Sequence, residues 1–473
     1  MPISRRTVLK TAVGAGVVAA IPAVPYAKWV STDRTRPDPV RSNASSESGL
    51  QWSNWSGSER ANPEAISVPE SEARLAEFIG NSTGQIRPVG SGHSFSGLVP
   101  SDGTIVDLSR FSGLIETDKE AKTARIWAGT RLRQGARQMA EEGLGMMNLP
   151  DIDVQTFAGS FATATHGTGA SLSALHDHVV GMRMITPSGY IIDIDRETNP
   201  ELFQAAKVSL GSLGVITSYD LQLRDTYSLN RRVEIRGTED ILDSAQDQFE
   251  DHRHFEFYFV PNSPLSAEIM LNEYEGEPFS PAVSEDDDEL LVALEGLRNH
   301  LGWAPWLRKA AVQTFFPRGE IENSGDEYWR MLTSSRPSKF HEIEYHIPLE
   351  EGFKALREIV NLMNSNPNNY FPMEVRRTAG DDAWLSPFND GPRISIAVHA
   401  AHNERYDHFF TEVEPIFRKY GGRPHWGKLH SLTYAELSEL YPRFSDFVEL
   451  REQLDPTGRM LNTHLSTLFQ PSV

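Results

Sequence analysis

Arg87-Pro-Val-Gly-Ser-Gly-His-Ser-Phe-Ser96 is the stretch whose reading decides the fold. Gly90 and Gly92 bracket Ser91, so the backbone can turn tightly and bring several N–H groups up to a ligand, as phosphate-cradling loops do. The spacing is not the dinucleotide fingerprint, because this G-x-G is not followed by x-x-G opening a helix. His93 stands inside the loop, beside whatever the loop would hold. A glycine-rich surface turn with an incidental histidine has the same composition. A second loop, Gly159-Ser-Phe-Ala-Thr-Ala-Thr-His-Gly-Thr-Gly169, shifts the balance, since two such loops suit one long diphosphate-bearing cofactor.

Outward from these loops the chain alternates short strands and helices. Strands are expected at 65–68, 85–89, 103–108 and 122–128, and helices at 70–79 and 131–142. About half of the 35 glycines lie between Gly80 and Gly214, which concentrates backbone approach to a ligand in this first folded unit. After Arg224 the character changes. His254-Phe-Glu-Phe-Tyr-Phe-Val260 places phenylalanines on alternate residues, the period of a strand, and further strands are expected at 340–346, 370–376 and 394–399. Helices are expected at 303–316, 350–364 and 403–420, and the acidic run Asp286–Glu289 reads as a solvated loop. The second unit is therefore expected to be an antiparallel sheet with helices on one face.

The gross numbers exclude several classes. A chain of 473 residues accommodates two or three domains. A net charge of −20 argues against nucleic acid and anionic membrane surfaces, which need a basic footprint. With no cysteine there is no disulfide, iron–sulfur cluster, thiolate zinc site or cysteine nucleophile. At the N-terminus, Arg5-Arg6 precedes the apolar run 11–27, which is short for a membrane span. Residues 1–27 resemble a bacterial twin-arginine signal and imply export by that machinery to the periplasm or medium. Residues 28–51, rich in Ser, Pro, Asp and Arg, read as a flexible linker.

Three segments together carry a resemblance: Gly90–Phe95, Gly159–Gly169 and Ser209-Leu-Gly-Ser-Leu-Gly-Val-Ile-Thr217 are similar to the FAD-contacting segments of vanillyl-alcohol-oxidase-type flavoproteins. Met373-Glu-Val-Arg376, His425-Trp-Gly-Lys428 and Leu454-Asp-Pro-Thr-Gly-Arg-Met-Leu-Asn462 resemble the sugar-1,4-lactone and alditol oxidases, in the same order along the chain. The resemblance implies an α+β fold with an FAD-binding domain at 52–225, a substrate domain with an antiparallel sheet at 226–420, and a C-terminal segment at 421–473 that returns to the flavin. It further implies hydride transfer from a sugar lactone or polyol hydroxyl to FAD. The electrons then pass to oxygen with release of hydrogen peroxide, or to another acceptor in a dehydrogenase. A monomer is expected.

The cofactor contacts implied are Val89, Gly90, Ser91, Gly92, His93 and Ser94; Gly159, Ser160, Thr163, Thr165, His166, Gly167 and Gly169; Gly214, Val215 and Ile216; and His425. His93 matches the histidine that some members bond covalently to the flavin, and a non-covalent neighbour of the ring is the alternative. For catalysis a base must take the hydroxyl proton, and Lys428 and His399 are the candidates. Lys428 could be a desolvated amine or an ordinary surface lysine, and His399 could be a core residue of its apolar strand. Arg376 is the candidate cation for the charge that builds on a reduced flavin, with Glu374 beside it to hold substrate hydroxyls, although a plain ion pair would also explain the two. Ser160 is implied to touch substrate. His166, His176 and His178 do not have the spacing of a metal site, and no metal is expected. A secreted sugar-binding protein that keeps the fold without catalysis is the reading of a different class.

Overall fold

The computed structural model describes residues 23–36, 48–280, 287–334 and 338–471. The N-terminal unit is built around two sheets, beside two short two-stranded ribbons. In the first, the strands Ala65–Ser67 and Ile86–Val89 run parallel to the central Thr104–Asp107. The parallel pairing requires the intervening crossover, which the helix Glu72–Asn81 provides, capped by Ser71 and buried through Leu75 and Ile79. The second is a five-stranded antiparallel sheet whose central strand, Val215–Gln222, pairs with Val179–Ile185 on one side and Thr123–Trp127 on the other. The loop 89–94 leaves the end of the strand Ile86–Val89, and the helix Phe157–Ala162 carries the second glycine-rich segment.

The second unit is built on an eight-stranded sheet. In spatial order its strands are Gly319–Glu327, Ser228–Gly237, Leu265–Glu273, His254–Phe259, Met373–Thr378, Arg393–Ala401, Phe340–Pro348 and Arg423–Pro424, and every pairing in it is antiparallel. Alternation along the strands gives the sheet two faces. Phe255, Phe257 and Phe259 are buried on one face, where Phe249 of the helix Thr238–Asp251 meets Phe255 edge-on at 5.0 Å. The helix Leu349–Ser365 buries Ala355, Leu356, Ile359 and Met363. The opposite face carries Glu256, Tyr258, Glu374, Arg376 and His399 and looks into a cavity shared with the N-terminal unit.

The C-terminal segment closes the circuit. Gly427 O accepts from Phe95 N at 2.7 Å, Trp426 O accepts from Ser96 Oγ at 2.7 Å, and His425 N and Leu429 N donate to Glu344 O and Glu342 O at 3.0 Å each. The segment thus ties the loop after Gly92 to the sheet. Arg87 adds a second tie: fully buried, it donates to the carbonyls of Leu98, Leu210, Gly211 and Met460 at 2.5–2.9 Å.

Three expectations change here. The acidic run does not form a loop throughout, because a helix, Asp287–Leu301, begins within it; acidic residues favour a helix N-terminus. Residues 28–36 are not a free linker. Trp29 donates its indole N–H to Arg298 O at 2.9 Å, and Arg36 stacks its guanidinium on Tyr406 at 4.5 Å and bonds His341 at 3.2 Å. Residues 1–22, with Arg5 and Arg6, and 37–47 lie outside the described residues, and a helix, Ala23–Val30, runs through the end of the signal-like stretch. The single helix expected over 403–420 is confined to residues 409–419.

Candidate active site

One cavity of about 1020 Å³ joins the three glycine-rich segments to the sheet wall. It is lined by Val89 to Ser94, by Gly159, Thr163, Thr165, His166 and Gly167, by Gly214, Val215 and Ile216, and by His425. Fifteen of the seventeen residues implied as cofactor contacts therefore converge. Two do not. Ser160 is buried outside the lining with its Oγ turned back to Phe157 O at 3.0 Å, because its position on the helix points it into the core. It touches neither the cavity nor anything in it. Gly169 lies behind the wall, donating its N–H to Arg377 O at 2.8 Å, and its φ of +146° explains the glycine by backbone geometry.

The cradle fits a dinucleotide-sized cofactor. A Cβ on Gly90 would fall 2.2 Å from Thr156 Oγ1, so the first loop passes directly against the second and only glycine allows it. Gly92 sits at φ +66°, the left-handed conformation the loop needs to turn back beneath His93. Val89–Ser94 and Gly214–Ile216 then offer backbone and small side chains along one elongated space.

His93 stacks on Trp55, with ring centroids 5.2 Å apart and planes 21° from parallel. Burial, with Lys428 and Arg131 adding to it, pushes its imidazolium down to about 4, so the ring is neutral at physiological pH.

On the sheet wall, alternation brings the charged groups together. Arg376 forms an ion pair with Glu374 on its own strand and lies 3.8 Å from the Glu256 carboxyl on the neighbouring strand. Tyr258 donates to Glu374 at 2.5 Å. The Arg376 cation is thus already flanked by carboxylates, as the ion-pair alternative foresaw, while still lining the cavity. Burial and the nearby Glu374 carboxylate push Glu256 up to about 8, against the pull of Arg376, so it carries a proton at neutral pH.

Lys428 is neither an isolated desolvated amine nor a free surface lysine: its ammonium pairs with the buried Glu342. Burial opposes ionisation of Glu342, but Lys428 and His399 outweigh it and pull the carboxyl down to about 2. His399 bonds through Nδ1 to Pro372 O at 2.7 Å, which fixes the proton there and turns Nε2 towards Glu342 at 3.6 Å. The Glu342 carboxylate thus stands beside the one ring nitrogen that Pro372 leaves open to the cavity.

On the same wall His166 Nε2 meets Glu344 at 2.9 Å, with the His346 and His425 rings 5.0 and 5.9 Å from the His166 ring. Burial opposes the charge on Glu344, yet His166 holds it well below the usual carboxylate range. His166, Glu344 and His425 offer ligand atoms within 4.8 Å of one another, a grouping that sequence spacing did not disclose. His425 Nδ1 already accepts from Gly427 N at 3.0 Å and Glu344 is engaged by His166, so the cluster is satisfied by hydrogen bonds.

The sequence reading missed Glu256, Tyr258, Glu342, Glu344 and Arg87. The signal was present for four of them. The alternation that buries Phe255 and Phe257 must turn Glu256 and Tyr258 the other way, and the run Phe340–Pro348 places Glu342, Glu344 and His346 on one face. Arg87 gave no signal beyond its place before the loop.

Comparison with known proteins decides the family. The profile described as D-arabinono-1,4-lactone oxidase matches residues 219–468, and one described as FAD binding domain matches residues 63–195. The chain belongs to the D-arabinono-1,4-lactone oxidase family. Among relatives, the L-gulono-1,4-lactone dehydrogenase of Mycobacterium tuberculosis is 31% identical over 89% of this chain and 99% of its own length. The L-gulonolactone oxidase of Bos taurus is 29% identical over 89% and 98%, and the alditol oxidase of a Streptomyces species is 26% identical over 88% and 98%. The cholesterol oxidase of B. sterolicum shares the fold with a TM-score of 0.71 at 14% identity, covering 93% of this chain and all of that one. The family's two parts, an FAD-binding domain and an antiparallel-sheet domain, are the two units described above.

Proposed function

We propose that the protein oxidises a hydroxyl group of a sugar lactone or polyol. The observation that carries this reading is the single cavity in which the glycine-rich cradle faces His399, Lys428, Glu374 and Arg376. The names of the relatives support the substrate class: two act on gulonolactone and one on alditols. FAD, when bound, supplies the hydride acceptor and passes the electrons on, in this reading to oxygen with hydrogen peroxide as product.

Val89–Ser94, Gly159–Gly167 and Gly214–Ile216 hold the cofactor, and His93 is the residue placed to be bonded to it. The bond to His93 is part of this proposal, and what supports it is the place of His93 in the loop lining the cavity and its neutrality, since only the unprotonated imidazole has a free lone pair. Glu374 and Tyr258 bind substrate hydroxyls. His399 Nε2 takes the hydroxyl proton, and Glu342 stabilises the resulting cation. Lys428, held by Glu342, donates to the substrate oxygen and keeps negative charge there as the proton leaves. Arg376 supports negative charge that builds on the far side of the site.

The relatives include both an oxidase and a dehydrogenase, so the acceptor is the point to test. Turnover with xylitol or L-gulono-1,4-lactone in air should release one peroxide per substrate oxidised. Turnover that needs an added dye, with no peroxide, would replace oxygen by another acceptor. The N-terminal Arg5-Arg6 motif supports export, and we propose that the loaded protein acts outside the inner membrane.

A further inference from the structure

The cavity wall is divided in two, and only one half suits a sugar. Two rows of directly paired residues cross the sheet. One runs Ser395, Arg376, Glu256, Ile269, Val233 and ends at Glu322; the other runs Glu344, Ala397, Glu374, Tyr258, Ala267, Ile235 and ends at Gly319. In both, ionisable and hydroxyl side chains give way to aliphatic ones at the boundary between the strands His254–Phe259 and Leu265–Glu273. Val233, Ile235, Ala267, Ile269 and Leu271 all line the same cavity as Arg376 and Glu374. The same cavity is also lined by Leu290 and Leu291 of the helix Asp287–Leu301 and by Phe315 and Phe316 at the end of the helix Pro305–Phe315, with Arg231 and Glu322 at its polar edge.

A bare lactone or polyol has nothing to put there. Over Val233, Ile235, Ala267, Ile269 and Leu271 its hydroxyls would give up water against aliphatic side chains, which is unfavourable, and at the far edge Arg231 and Glu322 are already paired with each other. A ligand whose hydroxyl-bearing head sits at Glu374, Arg376 and His399 would send any further part across the boundary onto Ile269 and Val233. On the proposed function, we infer that the preferred substrate is amphiphilic: a polyol or lactone head joined to an alkyl or aryl group that occupies the compartment between Val233, Ile269 and Phe315.

The test uses the flavin-loaded protein and anaerobic flavin bleaching, so the acceptor plays no part. The probes are xylitol, L-gulono-1,4-lactone and mono-O-alkyl ethers of each, from ethyl to octyl. Burial of each methylene should raise the specificity for reduction by about fourfold over the first several carbons. Val233→Thr, which keeps shape while adding a hydroxyl, together with Ile269→Thr, which adds a hydroxyl and removes one methyl, should flatten that slope, and Phe315→Ser should do so as well. A flat or falling slope, with the parent compounds still bleaching the flavin, overturns the inference and leaves the proposed function standing. So does a rising slope that neither set of variants changes, because the tail then lies elsewhere. Failure of every probe to bleach a yellow protein removes the proposed function, and this inference with it.

Discussion

Two carboxylates a few residues apart in space carry opposite protonation here, and environment alone separates them. Glu256 sits beside the anionic Glu374 and keeps its proton to about pH 8, whereas Glu342, between Lys428 and His399, has lost its own by about pH 2. The first can donate to a substrate oxygen at neutral pH and turns into an acceptor-only anion as pH rises through about 8. Substrate affinity should therefore weaken above pH 8, and Glu256→Gln should remove that inflection; an unchanged profile in the variant would assign it to another group. Arg376→Ala should slow flavin reduction by about a hundredfold, on the order of 3 kcal/mol, while substrate binding changes less. Stopped-flow reduction near the wild-type rate would leave Arg376 with only its ion pair. At His93, acid precipitation of the loaded protein should leave the yellow colour in the pellet, and colour in the supernatant would refute a covalent bond.

Among the elements, the loop 89–94 owes its shape to groups far away in sequence. Arg87 joins it to Leu210, Gly211 and Met460, and Gly427 and Trp426 receive hydrogen bonds from Phe95 and Ser96. Arg87→Met removes the donors and leaves four buried carbonyls short of partners, which should cost about 3 kcal/mol or more and loosen the flavin. A thermal melt and flavin content that match the wild type would contradict this account of the loop. The three glycine-rich segments were legible in the sequence because backbone approach permits few residues at such positions, as Gly90 against Thr156 illustrates. Glu374 was legible through its alternation with Arg376, whereas His399 came only with the family resemblance, because its apolar strand by itself reads as core. The strands Ser228–Gly237, Leu265–Glu273 and Gly319–Glu327 were not, because charged residues such as Arg231, Glu268 and Glu322 interrupt their apolar pattern, and those charges find partners only across the sheet or near its edge. The apolar half of the cavity went unseen with them. Ser160 was misplaced for a related reason: a motif fixes backbone position, while helix phase decides where the hydroxyl points.

For the molecule as a whole, burial of neutral histidines away from the cavity sets an acid limit. Burial pushes His178, His341 and His464 down to about 4, and His254 and His430 to about 3. The unfolded imidazole takes its proton near pH 6.5, so between that value and the folded ones the unfolded state binds more protons. Stability therefore rises with pH through this window and is lost as pH falls below about 6.5. Glu256, Glu59 and Glu268, whose carboxyls burial raises, act with the opposite sign, but they are three groups against five. The melting temperature at pH 5 should be below that at pH 7.5, and an equal or higher value would contradict the assignment of these rings as neutral. Export belongs to the same scale: a chain closed around its cofactor by Lys428 and its neighbours has a physical reason to cross a membrane already folded. Arg5→Lys with Arg6→Lys should leave flavin-loaded, active protein inside the cell, and wild-type activity outside the inner membrane would refute the twin-arginine reading. The account's central claim, that the cradle and the His399–Glu342–Lys428 wall form one hydride-transfer site, is tested most directly by the visible spectrum of the purified protein under anaerobic addition of xylitol or L-gulono-1,4-lactone. It predicts a yellow protein that bleaches with substrate and bleaches at least about a hundredfold more slowly in His399→Asn; a colourless protein, or a yellow one that no lactone or polyol reduces, would contradict it.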